Sequence, residues 1–282
     1  RIDPQGEWDL VAQWDGEPNG MKFLNAGQLL VTDYRNGLVV LDIASGQVRP
    51  FLERRNSERF KGVNDLVFDS KGNLYFTDQG QTGLHDPTGR VYRLAPDGRL
   101  DMLLSNVPSP NGIVLSNDER FLFVAATRGN CVWRMPLLAD GSVSKAGQFF
   151  TSYGPSGPDG LAMDEGGRLL VANPGLAYVW VLGPRAEPGP PQQVLENYPN
   201  AHSIIADAAN RFVLVPTLGN DRVNQFAFDA AQLAVAVEHD RAGHRPPHVL
   251  DRVLERVGAH ETVVGRVGDH ARGADRGDAE TG

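Results

Sequence analysis

Short apolar runs alternate with polar turns along this chain, and the pattern repeats. A polar residue on a bend precedes one apolar run, a brief turn follows, and a second run closes the unit. The copies begin at Pro18-Asn19-Gly20, Val63-Asn64-Asp65, Pro110-Asn111-Gly112, Pro158-Asp159-Gly160 and Ala201-His202-Ser203. Their second runs include Leu29-Leu30-Val31-Thr32-Asp33, Leu74-Tyr75-Phe76-Thr77-Asp78 and Leu169-Leu170-Val171-Ala172. From key residue to key residue the steps are 45, 47, 48 and 43. Runs of about five residues rich in Val, Phe, Tyr and Trp, with Asp-Gly turns between them, predict strands joined by hairpins. Further strand text follows each core, as at Gly37-Leu38-Val39-Val40 and Cys131-Val132-Trp133. About four strands per repeat of about 45 residues is the signature of a β-propeller blade. Nothing up to Asp229 sustains a helical period, so the expected fold class is all-β.

Six blades of about 46 residues would use nearly the whole 282-residue chain. Five are clear, and the sixth is degenerate or incomplete. Residues 231–282 change character: they contain no aromatic residue, no Lys and no Ile, yet hold five of the seven His. The expected organisation is therefore a propeller domain over residues 1–230 and an aberrant C-terminal tail over 231–282. That tail reads as disordered, or as text outside natural coding sequence, rather than as a degenerate blade. An unclosed propeller would leave strand edges exposed.

Composition narrows the function classes. The net charge of −8 argues against a nucleic-acid or anionic-membrane surface. Cys131 is the single cysteine, which excludes an intramolecular disulfide and a thiolate metal site. No stretch of about 18 apolar residues is present to span a membrane. The chain opens at Arg1 without Met or an apolar leader, as a fragment or a processed form would, and the cytoplasm is the expected compartment.

In a propeller the innermost strands line a central channel, so one phase of every repeat converges near the axis. Asn19, Asn64, Asn111, Asp159 and His202 share that phase. Amide and carboxylate oxygens with water suit a hard cation, Ca²⁺ first and Zn²⁺ or Mg²⁺ as alternatives, since Ca²⁺ takes six to eight oxygens. Asp159 is the charged member of the set. Asn-Gly and Asp-Gly are also ordinary turn formers. That reading holds for Asp97-Gly98 and Asp140-Gly141 in the outer hairpins, whereas a turn does not require Asn at one register of three blades.

Lys61-Gly62-Val63-Asn64-Asp65-Leu66, Tyr75-Phe76-Thr77-Asp78-Gln79-Gly80, Pro110-Asn111-Gly112-Ile113-Val114, Thr127-Arg128 and Gly157-Pro158-Asp159-Gly160 carry a resemblance. In order and spacing they resemble the senescence-marker-protein/gluconolactonase family of six-bladed propellers, over about residues 8–185. The resemblance implies a divalent metal held by a Glu, two Asn and an Asp, with Asn64, Asn111 and Asp159 at three of those positions. Asn19 stands where the family's Glu is expected, and Glu17 lies two residues earlier. Residues 197–229 look more like a blade of the other lactonase propeller family. The implied function is metal-dependent hydrolysis of a sugar lactone, with Asp159 activating water and the cation polarising the lactone carbonyl. Asp65, Gln79 and Arg128 are the candidates for the substrate hydroxyls. Two alternatives stand beside it: phosphotriester hydrolysis by the same site, and a non-catalytic binding propeller like the NHL-repeat proteins.

Overall fold

The structure, a computed structural model, describes residues 9–152, 156–173, 175–181, 191, 193–207, 209–220, 222–229 and 234–236. Five four-stranded antiparallel meanders succeed one another. The first is β1 (Pro18–Asn25), β2 (Gln28–Asp33), β3 (Gly37–Asp42) and β4 (Val48–Leu52), followed by a small ribbon of β5 (Arg54–Arg55) and β6 (Glu58–Arg59). The second is β7 (Val63–Phe68), β8 (Leu74–Asp78), β9 (Gly89–Leu94) and β10 (Leu100–Val107). The third is β11 (Pro110–Leu115), β12 (Phe121–Ala126), β13 (Cys131–Pro136) and β14 (Gly147–Thr151). The fourth is β15 (Leu161–Met163), β16 (Arg168–Asn173), β17 (Gly175–Val181) and β18 (Gln193–Tyr198). The fifth is β19 (Ile205–Ala206), β20 (Phe212–Thr217), β21 (Arg222–Asp229) and β22 (Ala234–Ala236). Innermost strands neighbour one another in chain order, β1 on β7, β7 on β11, β11 on β15 and β15 on β19. This is the propeller-like arrangement expected from the repeats. Among the described residues the only helical piece is a 3₁₀ turn, Thr127–Gly129. A sixth blade, and the tail from residue 237 onward, lie outside the described residues.

The cores sit between consecutive sheets, which explains why the second strands are apolar without a break. Leu30, Leu38 and Val40 of the first sheet pack on Val63, Leu66, Phe76 and Tyr92 of the second. Tyr75 and Val91 face the other way, onto Ile113, Leu122 and Val124 of the third. A strand with a blade on each side buries both faces, so alternation disappears. Cys131 is buried in that second core as a free thiol. The outer face of the first sheet, with Leu29, Val31 and Val39, is covered by Val11, Ala12 and Trp14 of the preceding segment.

Asp33 ties that segment down. Its fully buried carboxylate accepts from Trp14 Nε1 at 2.6 Å, from the backbone N–H groups of Glu17, Arg35 and Asn36 at 3.0 Å, and from Asn36 Nδ2 at 3.2 Å. Burial pushes its pKa up, but the donors from Glu17, Trp14 and Asn36 outweigh burial and hold it below the usual value. A depressed folded-state value stabilises the fold above the unfolded carboxyl's value, about 3.9, and that contribution is lost as pH falls through the folded value. Asp33→Asn is therefore expected to cost about 1.5–3 kcal/mol at pH 7. The cost should shrink toward zero in acid, and urea melts at pH 7 and pH 3 measure both. An equal cost at the two pH values would contradict the ionised role.

Candidate functional site

Each inner strand carries the same irregularity at its start. In the first sheet Pro18 pairs with Asp33 and Met21 with Val31, so Asn19 and Gly20 oppose Thr32 alone. In the second, Asn64 and Asp65 oppose Thr77. In the third, Asn111 and Gly112 oppose Ala125. In the fourth, Leu161 pairs with Val171, and Asp159 and Gly160 share Ala172 through bonds of 2.7 and 2.9 Å. In the fifth, the Ala201–Thr217 bridge and the Ile205–Leu214 pair leave residues 202–204 opposite Val215 and Pro216. A bulge of this kind re-aims a side chain and ends regular pairing, and it recurs beside functional sites. Asn19, Asn64, Asn111, Asp159 and His202 are thus structurally equivalent, each the first residue of a bulge at the same end of its sheet.

The second bulge residue faces the neighbouring blade. A Cβ added to Gly112 would stand 2.4 Å from Asp159 O and 2.6 Å from Leu161 N. One added to Gly160 would meet His202 O at 2.9 Å, and one on Gly20 would meet Asp65 Oδ1 at 2.6 Å. Hydrogen bonds cross the same junctions. Gly112 N donates to Asp159 O at 3.2 Å, and Gly160 N to His202 O at 3.1 Å. Thr32 Oγ1 donates to Asn64 O, Thr77 Oγ1 to Asn111 O at 2.7 Å, and Thr127 Oγ1 to Pro158 O at 2.7 Å. The side chains at the ring are thereby held by backbone on both sides. These threonines are the supports that the sequence reading missed, although Thr32-Asp33 and Thr77-Asp78 repeat at one phase and were legible.

Asp159 Oδ2 lies 2.9 Å from His202 Nδ1, and Asp159 Oδ1 is buried with no hydrogen-bond partner. The bond to Asp159 raises the His202 pKa against the opposing effect of burial, helped by the charges of Asp159 and Asp65. Asn64, 5% exposed, donates Nδ2 to Gln79 Oε1 at 3.1 Å, and Gln79 Nε2 donates to Ser109 Oγ at 2.9 Å. That leaves the Asn64 amide oxygen free of Gln79. Asn111 is 9% exposed. Asn19 is half-buried at the equivalent bulge of the first sheet. Glu17 is turned to another task, with its carboxylate 3.0 Å from Arg35 Nη2.

The three expected substrate residues divide. Asp65 accepts from the backbone N–H of Leu66 at 2.8 Å and of Ile113 at 3.1 Å, which ties the second sheet to the third. Burial raises its pKa, Lys22 and those N–H groups oppose the rise, and the charge of Asp159 adds to it. Gln79 and Arg128 line one cavity of about 650 Å³, together with residues 80–85 and Ser109. Ser109 was not foreseen: it is buried, holds φ at +57°, and joins Gln79 to Thr82 Oγ1, which accepts from its N–H at 3.0 Å. A serine held in the left-handed region beside a polar ring is the kind of local strain found at functional sites.

Among the described residues no three of His, Cys, Asp and Glu gather as a metal-binding group. A cation at this ring would therefore draw on amide oxygens. The donor set fits a hard cation: one carboxylate with an unpartnered buried oxygen, and Asn amides at equivalent positions.

Fold and bulges together define a propeller-like array of β-meanders whose inner strands each open on a polar bulge residue. The chain belongs to the SMP-30/gluconolactonase/LRE-like family, whose profile matches residues 1–187. A gluconolactonase of Zymomonas mobilis is 32% identical over 180 residues, 57% of this chain and 51% of that protein. The chain thus spans about half the length of this curated relative. In fold it is similar to a gluconolactonase of Xanthomonas campestris (TM-score 0.64, 23% identity, 74% of this chain and 72% of that one). It is also similar to regucalcin, a calcium-binding protein of Agrobacterium tumefaciens (TM-score 0.59, 22% identity, 72% and 68%). Among the described residues no helix is long and apolar enough to cross a membrane.

Proposed function

We propose that this protein hydrolyses a sugar lactone at the bulge ring, using one divalent cation, Ca²⁺ by preference. The observation that carries the reading is Asp159, whose Oδ1 is buried without a partner at the phase occupied by Asn64 and Asn111 in the preceding blades. Family membership and the gluconolactonase relatives support the substrate class, and the calcium-binding neighbour supports the metal.

Asn64, Asn111 and Asp159 would hold the cation, with Asn19 as a further neutral oxygen. When bound, it supplies a Lewis acid that draws charge from the lactone carbonyl oxygen. Asp159 orients the attacking water and accepts its proton. His202 holds the other carboxylate oxygen, so the carboxylate keeps one orientation. Gln79 fixes the Asn64 amide and presents its own amide to the cavity, where it reads hydroxyl groups. Asp65 serves mainly to hold the second and third sheets in register, because its carboxylate accepts from the backbone N–H groups of Leu66 and Ile113. The reading takes the five meanders, which run from Pro18 to Ala236, as part of a six-bladed propeller. The cytoplasm remains the proposed compartment.

A cation that binds only the folded state raises the melting midpoint. At 100 times its dissociation constant the gain is about 2.7 kcal/mol, which for a domain of this size is about 5–10 °C. Differential scanning calorimetry after chelation, with and without added Ca²⁺, is expected to show that shift, and lactone hydrolysis should disappear with chelator. An unchanged midpoint together with chelator-resistant turnover would sink the metal-dependent reading. An unchanged midpoint without any turnover would favour the binding propeller.

A further inference from the structure

The 650 Å³ cavity beside the ring has a one-sided charge. Of its lining residues, only Arg128 and His85 have basic side chains. No carboxylate lines the cavity, although the whole chain has a net charge of −8. Asp86 follows His85 in the same loop but is not part of the lining.

Arg128 is exposed, on the 3₁₀ turn, and no hydrogen bond or ion pair is formed by its guanidinium among the described residues. Arg35, Arg90, Arg93, Arg120 and Arg168 are each paired with a carboxylate. The backbone of Arg128 is fixed relative to the ring, because the preceding Thr127 bonds to Pro158 O next to Asp159. His85 stands on the same wall. A Cβ on Gly83 would meet His85 Nδ1 and Cε1 at 3.1 Å and Arg128 Cβ at 3.7 Å, so both side chains abut that glycine. Gln79 and Ser109 close the inner side of the cavity, and Gln79 touches Asn64. The cavity thus holds an unpaired planar cation together with Gln79, which accepts from Asn64 of the ring. Its volume suits a small ligand of sugar size.

We propose that Arg128, with His85, selects lactones that carry an anionic substituent remote from the lactone carbonyl, a carboxylate or a phosphate. A guanidinium presents two parallel N–H donors that match either group, whereas a neutral hydroxyl cannot use both the fork and the charge. The inference rests on the lactone reading of the ring and names the substrate class within it.

The test compares kcat/KM on glucono-δ-lactone, on its 6-phosphate and on glucaro-δ-lactone, for the wild type, Arg128→Gln and Arg128→Lys. The wild type is expected to prefer at least one anionic lactone by about tenfold or more. Arg128→Gln should reduce that preference about 10- to 100-fold, the range for loss of a charged hydrogen-bonded contact. Arg128→Lys should retain part of it, since the charge remains without the fork. Preference for the phosphate alone or the carboxylate alone identifies which anion the cavity takes. A wild type that handles the neutral lactone as well as both anionic ones, or a preference unchanged in Arg128→Gln, overturns the inference and leaves lactone hydrolysis standing. If the wild type cleaves none of the three, lactone hydrolysis fails separately, and calorimetry with gluconate, 6-phosphogluconate and glucarate then decides. Tighter binding of a dianionic or phosphorylated acid than of gluconate, lost in Arg128→Gln, upholds the anion site, and equal binding of all three overturns it.

Discussion

Asp159→Ala is expected to lower kcat/KM on a hydrolysable lactone by about a hundredfold to ten-thousandfold, the range typical of a general base in an otherwise intact site. The variant removes the carboxylate whose Oδ1 is unpartnered and whose Oδ2 meets His202. It also removes the only carboxylate among the proposed cation ligands, so affinity for Ca²⁺ should fall, because affinity follows the count of charged ligands. The fold should survive, since the backbone of residue 159, not its side chain, bonds to Gly112 and Ala172. Steady-state kinetics with a parallel melt separates these effects. Wild-type turnover by Asp159→Ala would remove it from the mechanism.

Gly112→Ala is expected to damage stability and turnover together, although residue 112 has no chemistry of its own. The new methyl would sit 2.4 Å from Asp159 O, 2.6 Å from Leu161 N and 3.0 Å from Gly160 C. All three are backbone atoms of the next blade, which cannot swing aside as a flexible side chain would. Overpacking of this kind costs about 3 kcal/mol at the upper end of its usual range. For a domain of this size that is roughly 6–12 °C in the melting midpoint. Relief requires the third and fourth sheets to part, which shifts Asp159, and a 1 Å misplacement costs on the order of 100-fold in rate. Thermal melts and kcat measured on one preparation check the pair of effects. A variant with the wild-type midpoint would show that the junction is looser than its geometry implies.

Much of this arrangement was legible in the chain. Strand text such as Leu74-Tyr75-Phe76-Thr77-Asp78 has strong β preference and clear turn punctuation, and each repeat forms one meander. The shared phase of Asn19, Asn64, Asn111, Asp159 and His202 was readable because propeller repeats preserve register. The partners were not readable. Nothing local marks Ser109 as the residue that meets Gln79, since they lie 30 positions apart and meet only when the second and third sheets pack. Asp65 was a candidate for the substrate hydroxyls. Its carboxylate instead accepts from Ile113 N of the next sheet. Glu17 lay near enough in sequence to compete with Asn19 for the ring, and an ion pair with Arg35 holds it elsewhere.

By itself the sequence determined the all-β class, the repeat and the residue at the head of each inner strand. Those depend on local preferences and on a period that a single chain displays. Only the tertiary structure decided that each head residue sits on a bulge, that glycine follows it where the next blade's backbone passes within about 3 Å, and that one oxygen of Asp159 is left buried without a partner. Those facts depend on contacts between blades more than 40 residues apart, where packing distance, not residue preference, sets which atoms meet.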